Sequence, residues 1–270
     1  ALNDALPTNC KKLQVVVGHV NPSRIQLLKE LTRTYPNIEL ITSNPGAKLI
    51  KELWNLRKPS PLDKNEKATT LNPIPLPALS IVRQEQELFF DQNYRLKLIP
   101  APTPKWPGGL IAFEEELGLL MSDKLFAAHI CTTEWAESNR ISTEEERRHF
   151  YDCLMAPMET QVATIVERLE ELDIKRIAPG HGPAIETSWR SLLNDYRRWG
   201  EGQKQALLKV VLLFASAYGN TAAIADALAN GISRTGIRVE SLNCEFTQLE
   251  ELIKAIREAD AYLIGSPTLG

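Results

Sequence analysis

Short solid apolar runs alternate along this chain with stripes at three- and four-residue spacing, so strands and helices are expected in turn. Leu13–Val17 is an apolar run with the length of a buried strand. Asn21 can cap a helix with Pro22 in its first turn, and Ile25, Leu28 and Leu31 mark the apolar face of that helix. Ile38–Ile41 predicts a second strand and Ala47–Leu56 a second helix. The stretch Pro59–Pro77, with "PSPLDKNEK" and "NPIPLP", reads as an insertion or long loop. Beyond it Glu87–Phe90, Arg95–Ile99, Leu110–Phe113 and Leu117–Met121 predict short strands packed in one sheet.

Helical spacing over Thr143–Leu172 leads into "IKRIAPGHGP", a strand running into a Gly-flanked turn that carries His181, and a helix over Ser188–Trp199 closes this unit. Around Glu201–Gln205 the pattern restarts. Leu208–Phe214 predicts a strand, "SAYGNT" a polar turn and Ala222–Ser233 a helix. Val239–Leu242, Leu249–Glu258 and Ala261–Ile264 continue as strand, helix and strand. This β-α-β-α-β order implies a parallel sheet. The expected division is residues 1–202 and 203–270.

Composition narrows the class. With 270 residues, 43% of them hydrophobic and 24% charged, the chain can bury a substantial core. A net charge of -3 and the lack of a long basic run give no electrostatic reason for nucleic-acid or membrane-surface binding. Its longest apolar run, around Val210–Ala215, is far short of the roughly 20 residues a bilayer requires. Cys10, Cys131, Cys153 and Cys244 are scattered without a CxxC pair, which fits a reducing compartment such as the cytoplasm. Because the chain starts at Ala1 and stops just after a strand and loop, it reads as a piece of a longer protein.

Two turns carry candidate chemistry. "FASAYGNTAAIADALANG" puts small and hydroxyl residues between a buried strand and a helix start, where free N–H groups, Ser216 and Thr221 can hold a phosphate dianion. "LIGSPTLG" follows the third strand, and a doubly wound sheet brings its loop to the same edge. These loops resemble the flavodoxin family over Ser216, Ala217, Tyr218, Gly219, Asn220 and Thr221, and over Ser266, Pro267, Thr268 and Gly270. The resemblance implies that the first loop holds the phosphate of FMN and the second lies by its ring.

With that second unit identified, four stretches of the first resemble the flavodiiron proteins, in which a metallo-β-lactamase-like domain precedes a flavodoxin-like one. The family's HxExDH stretch reads "HVNPSR" here, its "HWP" reads "KWP", its "SNDAF" reads "SDKLF", and its final His before Gly is in "PGHGP". His19 and His181 thus match family metal ligands. Asn21 and Ser23 stand at carboxylate positions, Arg24 and Lys105 at histidine positions, and Lys124 at that of the bridging aspartate. A shift of one residue would place Asp123 there instead; Lys124 is preferred because Phe126 then matches the family's aromatic. Protonated Arg and Lys have no lone pair to give a cation, so the pocket is expected to be a degenerate diiron site without iron.

The resemblance implies an αβ/βα metallo-β-lactamase-like sandwich lacking its first strands, followed by a truncated flavodoxin-like sheet, as in the ligand-poor flavodiiron proteins of oxygenic phototrophs. It implies electron transfer from a reduced pyridine nucleotide or ferredoxin through FMN to oxygen, which is reduced to water. A second flavin and the NAD(P)H site belong to a C-terminal module outside these residues. The family's head-to-tail dimer implies a homodimer, or a heterodimer with a ligand-complete subunit. Two other readings stand beside it: a non-catalytic dimerisation or regulatory subunit whose positive pocket binds an anion, and a metal-dependent hydrolase. His129 and His149 are read as structural, and Trp106 and Trp135 as packing or interface residues. Glu144, Glu145, Glu146, Arg147 and Arg148 are read as a solvated charge run.

Overall fold

The computed structural model describes residues 13–55, 74–91, 94–137, 141–217 and 219–268. Strand β1 (Leu13–Val16) pairs in parallel with β2 (Ile38–Ser43), and β2 pairs in parallel with β3 (Ala78–Val82). Helices α1 (Pro22–Thr34) and α2 (Asn44–Trp54) follow β1 and β2. Asn21 caps α1 through its side chain, and Ser43 caps α2, which starts earlier than the apolar spacing implied because Pro45 suits a first turn. Leu56 and most of the Pro59–Pro77 stretch lie outside the described residues. Strand β3, immediately after that stretch, is an addition to the strands expected from sequence.

A second sheet has the order β4 (Gln86–Asp91), β5 (Tyr94–Pro100), β6 (Leu110–Glu114), β7 (Leu119–Asp123), β8 (Arg176–Pro179). Its strands are antiparallel until β7 meets β8 in parallel. Side-chain alternation explains how the layers stack. Leu110 and Ala112 of β6 join Leu96, Leu98, Ile41 and Val82 between the two sheets, whereas Ile111 and Phe113 point to the helices on the far side. On the other flank Ile38 and Leu40 pack with Ile25, Leu28, Ile50 and Trp54 of α1 and α2. Both faces of each sheet are therefore covered, which yields the expected αβ/βα sandwich.

The far-side helices are α3 (Ile141–Phe150), α4 (Glu159–Leu169) and α5 (Trp189–Lys204). Within the helical region expected over Thr143–Leu172, a π-helical turn at Tyr151–Met155 and a 3-10 turn at Ala156–Met158 separate α3 from α4. Pro157 accounts for the break: it has no N–H to donate and its ring crowds the preceding turn. The charge run on α3 is also corrected. Arg147 is buried and pairs with buried Glu137, so only part of that run is solvated.

After α5 come β9 (Lys209–Phe214), α6 (Asn220–Arg234), β10 (Arg238–Asn243), α7 (Leu249–Arg257) and β11 (Ala261–Gly265). The sheet order β10-β9-β11 is parallel throughout, the start of a doubly wound sheet. Helix α6 rests on the turns at 151–158, and Gln203 of α5 donates to Ser233 of α6 at 3.2 Å. Among the described residues no helix is long and apolar enough to cross a membrane.

Candidate functional site

The ends of β1, β7 and β8 meet at one edge of the sandwich, and the turns that leave them build a polar cluster. Asp123 sits at its centre with a positive φ of 51°. Two glycines make room for it. A Cβ on Gly18 would lie 3.0 Å from its Cγ, and one on Gly180 2.8 Å from its carbonyl oxygen. Phe126 also has a positive φ, 63°, which costs an aromatic residue about 1–3 kcal/mol and persists only where neighbours hold it. They do: its N–H donates to the Tyr196 hydroxyl at 2.9 Å, its ring lies 4.7 Å from that of Tyr196, and its carbonyl accepts from Arg147.

The buried imidazole of His19 meets Asp123 through Nδ1, 2.5 Å from Oδ2. Asn21 uses Oδ1 to cap α1, accepting from the Arg24 N–H at 2.7 Å, which leaves its amide 3.4 Å from His19 Nε2. Arg24 donates to the His19 carbonyl at 3.3 Å and stands 3.8 Å from Asp123 Oδ1. Burial opposes charge on Asp123, but the His19 hydrogen bond and the nearby cations outweigh it and hold its carboxyl below the usual range.

Lys124 turns the other way, its Nζ 2.7 Å from His181 Nε2. An ammonium has no lone pair, so that nitrogen of His181 is the acceptor and the ring is neutral. Burial, Lys124 and His129 all lower the His181 pKa, which agrees with that assignment. Burial also lowers Lys124, against the pull of Asp123. Lys105 is pushed down to about 8 by burial and then by Lys124. Both ammonium groups lie over the Trp106 ring, 5.7 and 5.8 Å from its centroid. Lys105 also pairs with Asp226 on α6, and this contact favours its charged form.

Of the candidate metal positions, His19, Asn21 and Arg24 therefore gather around Asp123, while Lys105, Lys124 and His181 form a neighbouring chain; Ser23 is exposed in the first turn of α1 and joins neither set of contacts. Asp123 and Lys124 both face the cluster, one toward each histidine. Each potential donor already meets a cation or a hydrogen-bond partner, and among the described residues no three His, Cys, Asp or Glu side chains converge to hold a metal ion. The residues present do not fit a diiron centre. Sequence reasoning missed Asp226, whose only signal is that it lies nearly two turns into α6, the helix that follows the turn at Ser216. His129 is exposed and stacks edge-on against Phe150, and His149 is exposed on α3. Trp106 is half-buried against the core, whereas Trp135 is 69% exposed and so is not a packing residue within this chain.

The two loops of the parallel sheet are adjacent, because Gly265 of β11 is in register with Phe214 of β9. Ser216 Oγ accepts from the Ala222 N–H at 3.1 Å, and Gly219 caps α6 with a φ of 85°. Thr221 lies against Gly265, with its Cγ2 3.1 Å from where a Cβ would be. Pro267 and Thr268 continue from Ser266 beside this turn, whereas Tyr218 and Gly270 lie outside the described residues. A helix start with two hydroxyls and a left-handed glycine fits a phosphate. One feature opposes it: the Glu245 carboxylate already accepts from the Ser216 N–H at 3.0 Å.

A family model described as ODP family beta lactamase matches residues 7–182. Over 95% of its length the chain is 38% identical to diflavin flavoprotein A 4 of Synechocystis sp. and 40% identical to diflavin flavoprotein A 6 of Nostoc sp.. It spans 40% and 42% of the length of these two relatives. Among solved structures, the metal-soaked Flv1 flavodiiron core from Synechocystis sp. superposes with a TM-score of 0.87 at 32% identity, covering 96% of this chain and 60% of that one. The chain thus belongs to the ODP family of β-lactamase-like proteins and resembles the cyanobacterial flavodiiron core along nearly its whole length.

Proposed function

We propose that this chain is part of a cytoplasmic flavodiiron-type oxidoreductase subunit that carries electrons from a reduced pyridine nucleotide or ferredoxin through FMN toward oxygen, which is reduced to water. It divides into a degenerate diiron unit, residues 1–202, and an FMN-binding unit, residues 203–270. What supports the reading is the pairing of His19 with Asp123 beside Arg24, and of His181 with Lys124, which sets cationic side chains among the residues expected at the metal positions. FMN, when bound, accepts and releases electrons one or two at a time. This chain's part is to hold its phosphate at the start of α6 with Ser216, Thr221 and the backbone N–H groups from Gly219 onward, and to place Ser266, Pro267 and Thr268 beside the ring. Oxygen chemistry belongs to a ligand-complete partner in a heterodimer. The second flavin and the NAD(P)H site lie in a further module.

Oxygen consumption tests this directly. The full-length protein supplied with a reduced pyridine nucleotide should be inactive alone and active when co-expressed with a ligand-complete relative. Activity of the chain alone would defeat the reading. A second reading, a dimerisation or regulatory subunit with an anion in its pocket, is favoured by the two ammonium groups over Trp106. It predicts that co-expression brings no gain in oxygen consumption. Hydrolysis is disfavoured by the same loss of metal ligands.

A further inference from the structure

A second polar site lies between α4 and α5. There a cavity of about 190 Å3 is walled by Val162, Val166, Tyr151 and Tyr196, all buried, and has the Glu159 carboxylate in its lining. Glu159 is only 5% exposed, yet neither of its oxygens accepts a hydrogen bond from any described residue. Lys204 approaches Oε1 to 3.1 Å as an ion pair, out of hydrogen-bonding line, and its side chain is 54% exposed at the mouth. Among the described residues no cation reaches the second oxygen. A buried carboxylate is costly unless charge-assisted donors reach it, and such donors are among the strongest hydrogen-bonding groups available.

Position 200 keeps the space open. A Cβ on Gly200 would stand 3.3 Å from Glu159 Oε1 and 3.4 Å from the Tyr151 hydroxyl, so any side chain there would crowd the two polar groups facing the cavity. The lining thus offers a carboxylate at one end, aromatic rings that favour a cation, and valine methyls for an aliphatic body. We infer that this cavity binds a small primary alkylammonium ion, its N–H groups on Glu159 and its short chain against Val162 and Val166. Lys204 is the internal competitor, an alkylammonium tethered at the entrance.

Titration of the purified protein with n-propylammonium, followed by calorimetry and by NMR shifts of the α4 and α5 amides, tests this. Tetramethylammonium, which has no N–H, is the control. Saturable binding of propylammonium and none of tetramethylammonium is expected. Glu159→Gln should weaken it roughly tenfold to hundredfold, the worth of a hydrogen bond to a charged group. Lys204→Met should tighten it. Should Glu159→Gln fail to fold, Ala163→Leu fills the cavity without touching its charge and should abolish binding. Equal binding of both ions, binding that survives Ala163→Leu, or no saturation even in Lys204→Met would overturn the inference.

Discussion

Asp123 decides the electrostatics of the histidine cluster. It is the anion shared by His19 and Arg24, and its loss would leave the buried imidazole without its partner and the half-exposed guanidinium without its counter-ion. Asn tolerates the left-handed backbone found there, so Asp123→Asn isolates the charge. It should destabilise the fold by about 2–4 kcal/mol in urea unfolding; no change would mean that water already screens the cluster. Lys105 supplies a pH dependence of defined sign. Its folded pKa of about 8 lies below the ordinary 10.5, so between those values the unfolded chain binds more protons and stability rises with pH. Below about 8 both states are protonated and the penalty is constant. In Asp226→Asn the pKa should fall further, measurable from the Lys105 side-chain NMR shift. Sequence showed these residues as a group but not their pairings. Lys124 and Asp123 are adjacent, and only the positive φ at Asp123 sends one toward His19 and the other toward His181.

At the level of elements, apolar runs and caps were highly legible: α1 begins where Asn21 and Pro22 put it, β8 and β9 fall within the expected stretches, and β6 and β7 overlap theirs but run on to Glu114 and Asp123. What was not legible came from nonlocal partners. Strand β3 follows a proline-rich stretch and is a strand because β2 offers it a ladder. Arg147 carries the local pattern of a surface charge, but its partners Glu137, Phe126 and Pro183 come from three other segments. That guanidinium ties the turn after β7 to the turn after β8, so α3 acts as a brace for the cluster. Arg147→Leu should cost about 3–5 kcal/mol by stranding the buried Glu137, and Arg147→Leu with Glu137→Leu should recover part of it. Equal losses in the single and double variants would show that the carbonyl contacts, not the ion pair, matter. Phe126→Ala should cost about 3–5 kcal/mol in urea unfolding as a core truncation, because Ala keeps a Cβ and leaves the strain of the positive φ in place.

For the molecule as a whole, the two units are joined by contacts that reach both candidate sites. Asp226, nearly two turns into α6, pairs with Lys105 in the positive cluster, and Gln203 and Ser233 join α5 to α6. The full-length protein should bind FMN, and Glu245→Gln should tighten it severalfold by removing a carboxylate from the Ser216 N–H of the proposed phosphate-binding turn, as read by flavin fluorescence quenching. Weaker binding would mean that Glu245 supports the loop more than it repels the phosphate. Iron content decides whether cationic side chains stand in place of a metal at the histidine cluster. Protein produced with iron in excess should contain well under one iron per chain. Two irons per chain would contradict the account, because the cluster would then have to open Lys124 from His181 and Arg24 from Asp123 to admit them.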